Sequence, residues 1–172
     1  MSKERNKKLF DIIVFTMLGV IMFISKLIME ILPNIHLLGV LTIVYTITYR
    51  KDALKPIYIY VLLQGLYSGF SLWWIPYTYI WTILWGIVML LPKNMPTKIA
   101  VPVYSIVCAL HGLAFGALYA PAQAIMFGLD FKMMIAWVIA GLPFDITHAI
   151  SNLFLGSLII PLSTALKEFH KQ

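Results

Sequence analysis

Repeated long apolar runs, cut apart by prolines and lysines, decide what this chain can fold into. A helix of about 20 apolar residues crosses the hydrocarbon core of a bilayer, and in that core the backbone must satisfy its own polar groups. Soluble chains carry about a quarter charged residues; this one carries 12%, with 61% hydrophobic residues and a mean hydropathy of +0.89. The pattern predicts an all-α integral membrane protein. A length of 172 residues allows one transmembrane domain, 1–172, and leaves no room for an added soluble domain. No G-x-x-x-x-G-K-[ST] loop occurs, so the chain has no ATPase of its own. Its net charge of +6 does not indicate nucleic acid, because the basic residues lie between the apolar runs and in the tails. The single cysteine, Cys108, excludes an internal disulfide and a cysteine-based metal cluster.

Proline lacks an N–H and punctuates helices. Pro33 closes the first run, Pro56 and Pro76 open later ones, Pro92 and Pro96 bracket a loop, and Pro121 ends a helix. Six spans follow, at 9–32, 36–49, 56–71, 76–91, 98–119 and 132–165. The second to fourth are short for a crossing, and the last is too long, so Gly141-Leu142-Pro143 is expected to kink or break it. The first has a basic flank but no small-residue cleavage site, so it is not expected to be a cleaved leader. With the amino terminus inside, six crossings put 11 of the 13 basic residues on one side: Lys3, Arg5, Lys7, Lys8, Arg50, Lys51, Lys55, Lys93, Lys98, Lys167 and Lys171. Only Lys26 and Lys132 fall outside. The positive-inside rule then predicts that both termini are cytoplasmic.

Ionisable side chains at membrane depth are costly and mark candidate sites. Asp145, His148 and Asn152 stand at i, i+3 and i+7, on one helix face, just after Pro143. They form either the polar wall of a ligand site or a hydrogen-bonded cluster that holds helices together. Lys26 and Glu30, four residues apart, form either a self-neutralising pair or a ligand contact. The turn that follows, Leu32-Pro33-Asn34-Ile35-His36, offers Asn34 and His36. Trp73, Trp74 and Tyr77 belong to a run of aromatics whose ordinary place is the membrane interface, but beside Pro76 they could also stack on a ligand. Gln64, His111 and Gln123 are expected to be structural hydrogen-bond partners. Two G-x-x-x-G pairs, Gly65/Gly69 and Gly112/Gly116, are expected to let helices approach closely. Metalloprotease and serine-hydrolase motifs are missing, as are an arginine ladder and a selectivity filter. No inverted repeat supports a self-sufficient carrier.

Over nearly its whole length the chain resembles the substrate-binding S components of energy-coupling factor (ECF) vitamin importers. The resemblance rests on six spans with both ends inside, on the Leu-Pro-Asn-Ile-His turn, and on Gly-Leu-Pro-Phe-Asp-Ile-Thr-His-Ala-Ile-Ser-Asn in the last span. It implies a multi-pass protein of a bacterial plasma membrane that binds a water-soluble vitamin or precursor from outside. It also implies a transmembrane coupling subunit and two cytoplasmic ATPase partners; ATP is used by those partners, and this chain needs no cofactor. Within the family the last helix and nearby loops form the pocket, which gives Asp145, His148 and Asn152 a role. The family's A-x-x-x-A contact is absent: Thr16, Gly19 and Val20 stand where the first helix would carry it. Small residues in the fifth span and a broad aromatic outer region look somewhat like cobalamin-transporting members, making a corrinoid the first expectation for the ligand. Hydroxymethylpyrimidine, pyridoxine-type and queuosine-precursor ligands stay open. Two other classes remain beside a binding subunit that is not an enzyme: a small intramembrane enzyme using Asp145 and His148 as an acid–base pair, and a membrane scaffold built on the G-x-x-x-G faces.

Overall fold

The computed structural model describes residues 2–32 and 34–171, with the side chains of 4–32 and 34–169. Pro33 lies outside the described residues, as do the side chains of Lys3 and Lys171. The chain is all-helical, 88% helix and without strands among the described residues. Its helices are α1 (Ser2–Ile28), α2 (Leu38–Tyr49), α3 (Leu54–Ser68), α4 (Tyr77–Leu90), α5 (Thr97–Leu113), α6 (Phe115–Phe127), α7 (Phe131–Leu155) and α8 (Ile159–Lys171).

Among the described residues, four segments are long and apolar enough to cross a membrane: Glu4–Ile31, Leu72–Leu90, Thr97–Phe127 and Phe131–Phe169. The outward faces agree with that. Leu9, Ile12, Ile13, Met17, Ile21, Ile24 and Ile28 of α1 are all exposed, an apolar surface far more extensive than a water-soluble monomer presents. The inside is built around α2. Its 12 residues rise only about 18 Å, and every residue from Leu38 to Thr46 is buried. A short helix is tolerated there because α4, α5 and α8 surround it with protein.

Two expectations about punctuation are corrected. Pro121 does not end a helix: α5 stops at Leu113, Ala114 makes a one-residue break, and α6 runs through Pro121 to Phe127. The left-handed Gly128 (φ 66°) ends α6 instead, a conformation that a residue without Cβ adopts at low cost. The last span does not break at Gly141-Leu142-Pro143, since α7 continues through Pro143. It breaks at a short 3₁₀ turn, Gly156–Leu158, before α8. The physical reason is the neighbour: a Cβ on Gly156 would sit 2.6 Å from the Cα of Ser105 in α5. The chain turns where α5 touches it.

The α5–α7 packing is the most extensive in the bundle, and glycine makes it close. A Cβ on Gly112 would stand 2.8 Å from Asn152 Nδ2 and 3.2 Å from the Ala149 amide nitrogen. A Cβ on Gly116 would collide with Asp145 Oδ2. The Gly112/Gly116 pair therefore does what its spacing predicts, against α7 of the same chain. Gly65 likewise faces Phe70 and Trp74, whereas Gly69 (φ 88°) ends α3 and faces open space.

Candidate functional site

Of the 25 residues in α7, three are buried: Asp145, His148 and Asn152. The i, i+3, i+7 spacing thus makes the single inward stripe of the helix, and the three positions meet different surroundings. Asn152 is the deepest, fully enclosed, with Nδ2 donating to the Cys108 carbonyl at 3.1 Å. Asp145 faces the α5–α6 break. The first amides of any helix lack intrahelical acceptors, and the Gly116 N–H, in the first turn of α6, donates to Asp145 Oδ1 and Oδ2 at 3.2 and 3.1 Å. A carboxylate at that end also meets the positive end of the helix dipole. Asp145 therefore caps α6 from a different helix.

Around Asp145 and His148 lies a cavity of about 240 Å³. Its walls come from the end of α1 and its following turn (Lys26, Met29, Glu30), the loop before α2 (Leu32, Asn34, Ile35, His36), the start of α4 (Tyr77), the start of α6 (Phe115), and α7. Seven of the ten residues singled out in the sequence line it: Lys26, Glu30, Asn34, His36, Tyr77, Asp145 and His148. The other three, Asn152, Trp73 and Trp74, are not among its lining residues. Trp74 donates its indole N–H to the Val61 carbonyl at 2.8 Å, and the Trp73 carbonyl accepts from the Tyr119 hydroxyl at 2.8 Å. Those contacts tie the α3–α4 connection to α3 and α6.

The loop reaches the cavity because Asn34 adopts a left-handed conformation (φ 60°), which asparagine tolerates better than most side chains. Its carbonyl accepts from Ser151 Oγ of α7 at 3.4 Å. That turn folds His36 inward, where its ring meets His148 edge-on with centroids 4.5 Å apart. Residue 36 as a whole is only half-buried, yet its Nδ1 is fully enclosed. Burial first, then the neighbouring His148 and Lys26, lowers the His36 pKa from 6.5 to about 3, so the loop imidazole is neutral. Lys26 Nζ and Glu30 Oε1 pair at 3.4 Å on the cavity rim.

Aromatic rings extend inward from this pair. Phe115 lies 5.4 Å from His148 and 6.4 Å from Tyr77; Trp81 lies 6.4 Å from His36 and 5.7 Å from His111. His111 donates through Nε2 to the Ile80 carbonyl at 3.2 Å. Buried polar atoms in native proteins are nearly always hydrogen-bonded. Here His36 Nδ1, His148 Nε2, His111 Nδ1, Trp81 Nε1 and the Tyr60 hydroxyl have no partner among the described residues. Two of those nitrogens belong to cavity-lining residues. No group of three or more His, Cys, Asp or Glu among the described residues is arranged to hold a metal ion.

Sequence reasoning missed Phe115 and Trp81, which join the histidines into one cluster. Phe115 gave no signal because it stands at a helix start that the sequence did not reveal. Trp81 follows in the same aromatic run, whose ordinary place is the membrane interface, but it is fully buried. The chain matches no protein-family model, no curated protein and no solved structure.

Proposed function

We propose that this chain is a membrane-embedded binding protein that captures a small polar molecule in the cavity between α1, α4, α6 and α7. One observation carries the reading: seven polar or aromatic residues, scattered over residues 26–148, converge on a single cavity of about 240 Å³. A small, mainly preformed cavity with a few convergent polar groups is the common form of a small-molecule site. The His36 and His148 rings support it, since both line the cavity and meet edge-on with centroids 4.5 Å apart, bringing the loop before α2 against α7.

In this reading the chain crosses the membrane six times with both termini in the cytoplasm. The helices α2 and α3 are short crossings shielded by their longer neighbours, and the cavity opens towards the outside. The protein resides in a bacterial plasma membrane as the substrate-binding S component of an ECF-type importer. A transmembrane coupling subunit and two ATPases supply the energy that this chain has no motif to provide. Binding and release differ in how the 34–37 segment closes over the cavity, because a ligand shifts a conformational equilibrium only by its differential affinity for the two states. The size of the cavity favours a single-ring vitamin or precursor. A corrinoid, several times larger, would require the loop to lift away.

The test is mass spectrometry of small molecules released from the gently purified, detergent-solubilised chain, followed by titration of the best candidate and of a vitamin panel. A stoichiometric ligand that rebinds without ATP and is returned unchanged is the expected result. Turnover of that ligand by the purified chain would favour the intramembrane enzyme instead. An empty protein that binds nothing in the panel would refute the proposal and return Asp145 and His148 to a packing role.

A further inference from the structure

The charged groups on the cavity wall are unequal. Lys26, Glu30 and Asp145 line it. Lys26 is engaged by Glu30 at 3.4 Å, which leaves Asp145 as the carboxylate without a cationic partner; no ion pair among the described residues includes it. Its compensation within the protein is one amide, Gly116 N–H, which divides itself between both oxygens at 3.2 and 3.1 Å. A carboxylate has about four acceptor positions, so Asp145 keeps acceptor capacity beyond that amide. Its residue is only 6% exposed, and a buried carboxylate with partial compensation is costly in an apolar bundle. The helix dipole supplies only about half a positive charge at its amino end.

The remaining wall suits a cation attached to a flat ring. Phe115 and Tyr77 present aromatic rings 6.4 Å apart, and aromatic faces attract cations. His36 and His148 add two imidazole rings to the wall, edge-on with centroids 4.5 Å apart. At roughly 30 Å³ per water, the cavity of about 240 Å³ holds the equivalent of about eight waters, or one substituted ring.

We propose that the cavity selects a small single-ring molecule bearing a positively charged nitrogen, which seats on Asp145 while the ring lies among Tyr77, Phe115 and the His36–His148 pair. The inference rests on the binding-protein reading and names the ligand class of that same site. Lys26 stays with Glu30 at the rim and does not contribute a binding charge.

The experiment titrates the full purified chain, freed of bound small molecules, at pH 7 with three probes of one size: 3-(aminomethyl)pyridine, 3-pyridylmethanol and nicotinate. Calorimetry or Trp fluorescence reports affinity. The ammonium probe is expected to bind at least tenfold more tightly than the neutral alcohol, with nicotinate the weakest. Asp145→Asn is expected to bring the amine and the alcohol within about threefold. Because that variant also alters the cap on α6, the ranking in the unmodified protein stands as an independent test. Alcohol or nicotinate binding as tightly as the amine overturns the charge inference but leaves the binding-protein reading in place. If all three probes fail and the protein as purified releases a different small molecule, a neutral or anionic one overturns the inference and a cationic one supports it. If nothing binds and nothing is released, both readings fall together.

Discussion

Gly156→Ala is the sharpest test of how α7 is seated. The added Cβ would lie 2.6 Å from Ser105 Cα, 2.7 Å from its Cβ and 2.5 Å from its Oγ. Ordinary contacts begin at 3.4 Å, so the 3₁₀ turn and α5 would have to separate by 3.4 − 2.6 = 0.8 Å. A backbone atom cannot swing aside as a side-chain tip can. Overpacking of this kind costs about 1–3 kcal/mol, and a radial gap of roughly 0.5–1 Å forfeits a quarter to a half of each neighbouring contact. Packing is the main term holding helices together in a bilayer, so the loss is felt directly. Gly86→Ala is the matched control, because its Cβ meets nothing within 4 Å and a helical Gly→Ala change stabilises by about 0.5–1 kcal/mol. The two variants should differ by roughly 1.5–4 kcal/mol, the sum of those ranges. Reversible unfolding in mixed micelles, followed by Trp fluorescence, measures that difference. A Gly156→Ala protein within about 0.5 kcal/mol of the parent would refute the claim that α5 dictates where the last helix turns.

Two more predictions follow from the polar interior. Asn152→Ala removes the donor to the buried Cys108 carbonyl and should destabilise by about 1–3 kcal/mol. Its ligand affinity should stay within roughly threefold of the parent, since Asn152 is not on the cavity wall; a large affinity loss in a stable protein would move it into the site. The pH dependence of stability carries a signature of His36, whose pKa falls from 6.5 in the unfolded chain to about 3 in the fold. The unfolded state binds the extra proton in that window, so stability is intact above pH 6.5 and declines as pH falls towards 3. The parent should lose up to about 1.4 kcal/mol per pH unit more than His36→Leu, and parallel stability–pH curves for the two proteins would be inconsistent with an enclosed neutral imidazole.

The sequence by itself determined the secondary structure. Long apolar runs cut apart by prolines read as helices, and the chain is all-helical, with four segments among the described residues long and apolar enough to cross a membrane. It also determined which face of α7 turns inward, because Asp145, His148 and Asn152 share a helical repeat and their burial follows from the cost of polar groups in lipid. Lys26 and Glu30 were legible as a pair for the same local reason. The positions of the breaks were not legible. Pro121 and Pro143 carry a local signal that the helices override, while the turn at Gly156 is set by Ser105, about fifty residues earlier in the chain. Only the tertiary structure separated Asn152 from the cavity and drew Phe115 and Trp81 into the cluster. It alone made Asp145 the cap of α6, through a hydrogen bond spanning 29 residues. Periodicity reports a residue's own helix and the side it faces; what waits on that side depends on how closely glycine lets the next helix approach, and that is a property of pairs of helices.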